Sequence, residues 1–379
     1  MRIILAALTI LAALPALTVS VVGPHGNQLQ RDADAIHTLG VTGVQARVIT
    51  PEGRNLVATS GRSVPADGRF RIASTRKAFV ATVALQLVGE HRLSLDDRVE
   101  RWLPGVVPDG RRITVRQLLQ NTSGIRDDEP GYTTPAEYLE QRYDVHTRDE
   151  LVARAAAHPL LFPPGTGWAY SNTGFLLAGM VIERVTGRSL RREVTDRIVR
   201  PLGLRHTTWP GTEPTLPRPH ARAYQLFPTG DLVDVTEQVP DDPDAIVSTT
   251  QDLNTFFRTL LAGGLLAPAQ LAEMKRTVPV SPEVAQIWPH GRYGLGLARR
   301  PLPCGGVYWG HDGGDAGYIT GTGVTEDGRR SAVVSMSTAL GDSLDHQFQQ
   351  QRVADRLIQD ALCATTTGRV PRYLDRLNY

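Results

Sequence analysis

Residues 70–89 read FRIASTRKAFVATVALQLVG, and the fold turns on this stretch. Phe70–Ala73 has the character of a short strand. Thr75–Val88 is apolar nearly all round, with Gly89 as its stop. A helix that is hydrophobic on every side belongs at the centre of a domain. Ser74 stands at the N-terminus of that helix, and Lys77 follows three residues later on the same face. This S-x-x-K spacing sets a hydroxyl beside an amine, where the helix dipole also favours an alkoxide. A buried amine can give up its proton and act as a base, whereas a guanidinium cannot. Composition sharpens the point. Lys77 and Lys275 are the only lysines among 41 Lys and Arg residues. A chain that uses Arg almost everywhere keeps Lys at the position where deprotonation would be required. The alternative is a surface lysine beside an unrelated serine.

Working outward from the helix, residues 44–60 read as a hairpin. Its arms are Val44–Thr50 and Asn55–Ser60, with Pro51-Glu52-Gly53 as the turn. Residues from about Ile113 to Gln238 look mainly helical, with helical spacing over Thr173–Thr186 and Leu190–Leu202. A further helix starts at Ser248, with Gln251 placed for a capping box. Strand patterns return at Val307–Trp309, Tyr318–Val324 and Ser331–Met336, with Asp327-Gly328 as a hairpin turn. A last helix spans about Asp342–Leu362. The order predicts an α+β fold, in which an antiparallel sheet flanked by helices carries an inserted, mainly helical domain. The α/β part is discontinuous, comprising residues 32–112 and 245–363, and the insert is 113–244. A cleft between them is the natural place for a site.

The 379 residues carry a formal net charge of +2, with 41% hydrophobic and 21% charged residues. These values describe an ordinary globular protein with no basic stripe for nucleic acid. A small-molecule or peptide substrate is therefore expected, on a monomer. Residues 1–23 read as a secretory signal peptide, with an apolar run from Ile3 to Val22 behind Arg2. Secretion is the expectation, with no stable membrane anchor; a retained anchor is the alternative. Residues 364–379 form a C-terminal tail. The two cysteines, Cys304 and Cys363, can pair in an exported protein; two buried free thiols are the alternative. No metal motif is present, and no cofactor is expected.

Two further motifs carry chemistry. Tyr170-Ser171-Asn172 follows a Pro-Pro-Gly turn and precedes a helix. A tyrosine hydroxyl near Lys77 could pass a proton to a leaving group, and the Asn172 amide could hold a substrate carbonyl or amide. Alternatively, Tyr170 is core and Asn172 an N-cap. His311-Asp312-Gly313 follows a strand, where backbone N–H groups can face an oxyanion and His311 could supply a polar or cationic wall. Gly341-Asp342-Ser343-Leu344 spells another esterase signature, but no His follows His346, so it reads as a turn and helix cap. No G-x-S-x-G elbow is present.

In order, S-x-x-K, Y-x-N about 95 residues later and H-x-G on a late strand resemble the serine β-lactamase and penicillin-binding superfamily. The look is that of the class C-like branch with Streptomyces-type D-alanyl-D-alanine carboxypeptidases and related esterases. The resemblance runs from about Val41 to Cys363 and includes Leu93–Asp97, Leu118–Gly124 and Ser248–Leu253. It implies that Ser74 is the acylated nucleophile, with Lys77 and Tyr170 as the base and acid network. Asn172, His311 and Gly313 would bind substrate, and the backbone N–H groups of Ser74 and Gly314 would form the oxyanion hole. It also implies a Cys304–Cys363 disulfide. Closing that loop of ~60 residues would contribute about 4 kcal/mol.

The chain departs from the family at several positions. Asn121 stands where many relatives have His. Ala298 and Gly314 occupy the places where similar carboxypeptidases grip a terminal carboxylate with Arg and Thr. Arg299 or Arg300 could substitute, although alternation aims one of them away. A D,D-carboxypeptidase-like enzyme on cell-wall peptides is the first functional expectation. A serine esterase or amidase on small acyl substrates is the second, followed by a β-lactamase or a non-catalytic penicillin-binding protein.

Overall fold

Helix α1 (Pro24–Thr38) leads into the expected hairpin, whose arms are β1 (Gly43–Ile49) and β2 (Asn55–Gly61). Ala46 lies opposite Ala58 across it. This is a computed structural model, and it describes residues 24–128 and 131–364. The expected leader at 1–23 and tail residues 365–379 lie outside the described residues.

The remaining strands are short. They are β3 (Phe70–Arg71), β4 (Tyr224–Leu226), β5 (Leu232–Asp234), β6 (Val247–Ser248), β7 (Val278–Pro279), β8 (Arg292–Tyr293), β9 (Ala298–Pro301), β10 (Val307–Gly310), β11 (Gly313–Asp315), β12 (Tyr318–Thr325), β13 (Ser331–Met336) and β14 (Thr338–Leu340). The main antiparallel sheet runs β2-β1-β13-β12-β10-β9-β8-β7, with β11 also on β12. Every residue of β1 and of β13 is buried, because helices cover both sides of the sheet centre. On one side α1 and the last helix pack an apolar cluster of Leu29, Ala33, Ile36, Leu357 and Ile358 against Val44, Ala46 and Val334.

The other side holds the helix quoted above, α2 (Arg76–Gly89). Its residues 76–85 and Leu87 are all buried. Phe79 stacks on Phe256 with ring centroids 3.8 Å apart. The helices that follow are α3 (Val99–Trp102), α4 (Val115–Gln120), α5 (Pro135–Gln141), α6 (Arg148–Ala156), α7 (Asn172–Thr186), α8 (Leu190–Val194), α9 (Thr250–Leu261), α10 (Pro268–Met274), α11 (Pro282–Ala285) and α12 (Leu344–Cys363). Helices α4 to α8 fall within residues 113–244, as do β4 and β5.

Three local readings change. The strand before Ser74 ends at Arg71, since the ladder to β6 covers only Phe70 and Arg71, opposite Ser248 and Val247, with one further bond from Ile72 N–H to the Ile246 carbonyl. Residues Ala73–Thr75 form a single 3-10 turn before α2 begins. The chain reverses after α2 at His91, with φ 58°, and not at Gly89; Arg92 N–H then returns to the Leu87 carbonyl at 3.0 Å. The N-cap of α9 is Thr249, which accepts from Asp252 N–H. Ser248 belongs to β6, and its hydroxyl is shared with Thr207 at 2.9 Å.

Candidate active site

Ser74 is carried on the 3-10 turn, and Ala73 before it has φ 46°. This left-handed backbone is costly for an alanine, and such strain concentrates at functional sites. Lys77, 1% exposed, is the second residue of α2, about one turn beyond Ser74, and donates from Nζ to Ser74 Oγ at 3.0 Å. The same Nζ donates to Asn172 Oδ1. It also lies 4.7 Å from the Tyr170 ring centroid and 5.6 Å from that of Phe175. The four residues Ser74, Lys77, Tyr170 and Asn172 therefore converge.

The alternative reading of Asn172 as an N-cap is excluded. Ser171 caps α7, its hydroxyl accepting from Gly174 N–H at 3.0 Å. Asn172 is thus the first helical residue, and its amide is left to meet Lys77. Asn121 is the reason the 169–171 segment sits here. It ends α4 in the left-handed region at φ 61°, which Asn tolerates well. Its carbonyl accepts from Ala169 N–H at 3.0 Å, and its side-chain oxygen accepts from Ser171 N–H at 3.3 Å.

His311 lies behind this group, with its ring centroid 6.3 Å from that of Tyr170. Its Nδ1 is 2.7 Å from the Asp312 carbonyl, which can only accept, so Nδ1 carries the proton. Nε2 must then accept from the Tyr293 hydroxyl at 2.8 Å. Burial, helped by the Lys77 charge, lowers the His311 pKa to about 3. The expected cationic wall is corrected accordingly: His311 is a neutral, 1% exposed ring. Its carbonyl accepts from the hydroxyls of Thr75 and Thr322, each at 3.0 Å, which ties the residue after Ser74 to the main sheet.

Gly313 and Gly314 have different surroundings. A Cβ on Gly313 would stand 2.2 Å from the Ile72 carbonyl oxygen and 3.0 Å from Thr75 Oγ1. Gly313 is buried, so glycine here permits β11 to approach the turn bearing Ser74. This packing role stands beside the expectation that Gly313 binds substrate. Gly314 is exposed and lines a cleft of about 300 Å³ with Ser74 and Asn172.

The sequence reading did not find the other walls of this cleft, Tyr132, Asp241, Asp242 and Asp315. Burial raises the Asp315 carboxyl above its ordinary range, and its oxygen accepts from Ala316 N–H at 2.8 Å. Asp242 pairs with Arg76 of α2. Asp244, two residues on, accepts from Arg148 Nε at 2.9 Å. These ion pairs hold the acidic loop across the mouth of the cleft. The run Asp241-Asp242-Pro243-Asp244 was the available signal, since three carboxylates beside a proline make an unusual loop.

Neither arginine candidate for a carboxylate anchor reaches the cleft. Arg300 is 3% exposed and is held by Asp312 at 2.9 Å and Asp355 at 2.8 Å. Arg299 is not among the cleft residues. Cys304 and Cys363 form a disulfide that ties the β9–β10 turn to the end of α12. Among the described residues, no helix is long and apolar enough to cross a membrane, and no group of three or more His, Cys, Asp or Glu is placed to hold a metal.

The sheet order and this serine–lysine site define a serine hydrolase of the β-lactamase/transpeptidase fold. The chain belongs to the Beta-lactamase family, whose model matches residues 30–357. Among curated proteins it is 37% identical to Esterase EstB of Burkholderia gladioli over 174 residues, 41% of this chain and 42% of that protein. It is 32% identical to Penicillin-binding protein 4* of Bacillus subtilis (strain 168) over 154 residues, 39% of this chain and 32% of that protein. The match thus spans less than half the length of these curated relatives. Among solved structures, a D-stereospecific amidohydrolase from Streptomyces sp. is 40% identical with a TM-score of 0.81, covering 90% of this chain and 99% of that one. The D-amino acid amidase from Ochrobactrum anthropi SV3 is 28% identical with a TM-score of 0.76, covering 88% and 97%.

Proposed function

We propose that the chain is a serine amidase or esterase working through an acyl-enzyme at Ser74, and that its acyl substrates bear a free ammonium, as amino acid amides and esters do. Lys77, as the neutral amine, takes the proton of Ser74 Oγ as that oxygen attacks the carbonyl carbon. The N–H groups of Ser74 and Gly314 receive the developing oxyanion. Tyr170 passes a proton to the departing amine or alcohol, and water then cleaves the ester to Ser74.

The charge of the cleft is the observation that supports this substrate. Asp241, Asp242 and Asp315 line it, with Asp242 paired to Arg76 and Asp315 pushed by burial toward its neutral form, and among the described residues no Arg or Lys lines it. A terminal carboxylate brought there would lose water and meet like charge. An ammonium would find partners. The two solved relatives named for D-amino acid or D-stereospecific amide hydrolysis support D-configured substrates. The D,D-carboxypeptidase reading is second, favoured by the likeness to Penicillin-binding protein 4*; it needs a cation that the cleft lining does not offer. Secretion, from the leader at 1–23, belongs to the same proposal.

The test compares D-phenylalanine amide, its N-acetyl derivative and a D-Ala-D-Ala peptide, each against wild type and Ser74→Ala. N-acetylation should lower kcat/KM about 10- to 100-fold, the loss of a charged hydrogen bond. Equal rates with the acetylated amide, or preference for the D-Ala-D-Ala free acid, would overturn the reading.

A further inference from the structure

The loop after α4 brings Asp127 to the N-terminus of α7, and no motif in the sequence points to it. Its two carboxylate oxygens take three donors. Asn172 N–H donates to Oδ2 at 2.7 Å, Thr173 N–H to Oδ1 at 2.9 Å and the Ser171 hydroxyl to Oδ1 at 3.0 Å. Ser171 in turn accepts from Gly174 N–H at 3.0 Å. Three backbone N–H groups at the start of a 15-residue helix are thereby satisfied, two of them directly by a residue some 45 positions away in sequence. A carboxylate also suits the positive end of the helix dipole.

Asn172 is the residue whose backbone Asp127 grips, and its side-chain oxygen is an acceptor for Lys77. Ser171 is gripped from the opposite side by Asn121, as described above. We infer that Asp127 is a positioning residue for the reaction, fixing the first turn of α7 so that Asn172 holds Lys77 against Ser74. Its effect on Lys77 passes through Asn172. The inference rests on the reading of Ser74 as nucleophile, and is independent of which acyl group is the substrate.

Asp127→Asn is the informative change. The amide keeps one acceptor oxygen and turns an NH2 donor toward N–H or O–H donors, so it cannot satisfy both sides of the cradle. The assay is labelling of Ser74 by a fluorophosphonate, read as three quantities: the fraction of protein that can be labelled, the apparent affinity and the saturating rate constant. Labelling of wild type at Ser74 checks the reading on which the inference rests, and amide hydrolysis is scored separately. A misplacement of about 1 Å can cost about a hundredfold in rate. Asp127→Asn should therefore lower the saturating rate constant tenfold or more, with the affinity and the labelled fraction close to wild type.

Thr147→Ala serves as the control for stability alone. It removes the capping box of α6, where Thr147 accepts from Glu150 N–H, and should lower Tm without changing the rate constant. Ser171→Ala deletes one of the three donors and should give a smaller loss in the same quantity; it carries the test if Asp127→Asn does not fold. The inference is overturned if a folded Asp127→Asn labels within threefold of the wild-type rate constant, or if only its labelled fraction falls. If Asp127→Asn does not fold, an unchanged rate constant in Ser171→Ala overturns it as well.

Discussion

Replacing Gly313 by alanine tests the claim that glycine there serves close packing. The added Cβ would lie 2.2 Å from the carbonyl oxygen of Ile72, two residues before Ser74. Ordinary contact begins at 3.4 Å, so β11 or the 72–75 turn must withdraw by about 1 Å, a shift that can cost about a hundredfold in rate. The turn cannot yield cheaply. Ile72 N–H is bonded to the Ile246 carbonyl at 3.0 Å, Thr75 to the His311 carbonyl, and Ala73 is already in a left-handed conformation. Overpacking of this kind costs about 1–3 kcal/mol, against a gain of about 0.4–1 kcal/mol from stiffening the unfolded chain. Gly313→Ala should therefore lose about 1–2 kcal/mol of stability and about a hundredfold in Ser74 labelling by a fluorophosphonate. Gly314→Ala is the paired control. Its Cβ would meet only the end of Ile319, at 3.3 Å, and stability should stay within about 0.5 kcal/mol. Denaturant melts and labelling rates of both variants decide the matter. A Gly313→Ala protein that matches wild type in both would refute the close-packing account.

Lys77→Arg should fold and lose about 100- to 10,000-fold in acylation, because charge is retained while the base is abolished; near-normal burst kinetics would point to another proton acceptor. His311 should make folding acid-sensitive. Its folded pKa of about 3 lies below the ordinary 6.5, so the folded state binds its proton less readily than the unfolded state, and stability present above pH 6.5 is lost as pH falls toward 3. Denaturant melts of His311→Gln from pH 7 to 4 should show a shallower decline than wild type; parallel curves would contradict the buried neutral ring. Cys304→Ser with Cys363→Ser should lower stability by about 4 kcal/mol in the chain-entropy view, and wild type should show no free thiol when denatured without reductant.

Much of this site was legible because its chemistry depends on local spacing. Ser74 and Lys77 are one helical turn apart, and the surrounding apolar run could only be a buried helix. Tyr170 and Asn172 were legible as candidates, but not their separation of roles. That depends on Ser171, and not Asn172, taking the cap, a choice set by the hydrogen bonds that Ser171 N–H and Ala169 N–H donate to Asn121. The acidic cleft was not legible for a different reason. Asp241 and Asp242 come from one loop and Asp315 from a strand, and nothing in their sequence spacing reports that they meet. The neutral state of His311 was not legible, because the Tyr293 hydroxyl that meets its Nε2 comes from a two-residue strand flanked by glycines, far from the His-Asp-Gly turn in sequence. The hairpin, the late strands and α12 were found to within a few residues, since each carries its own periodicity or turn. The two-residue strands β7 and β8 carry neither.

The main sheet places β1 between β2 and β13, so that Val44 pairs with Met336. A chain made from its N-terminus can form the β1–β2 hairpin early, but the opposite side of β1 must wait until β13 has been synthesised, roughly 300 residues later. The turn that presents Ser74 leans on the same late-arriving strands through His311 and Gly313. Such long-range pairing is slow to form and leaves a strand edge open meanwhile. Reactivity at Ser74 should therefore appear only once β13 has been made, and a fragment ending before residue 331 should be inactive and prone to aggregate, not a weak enzyme.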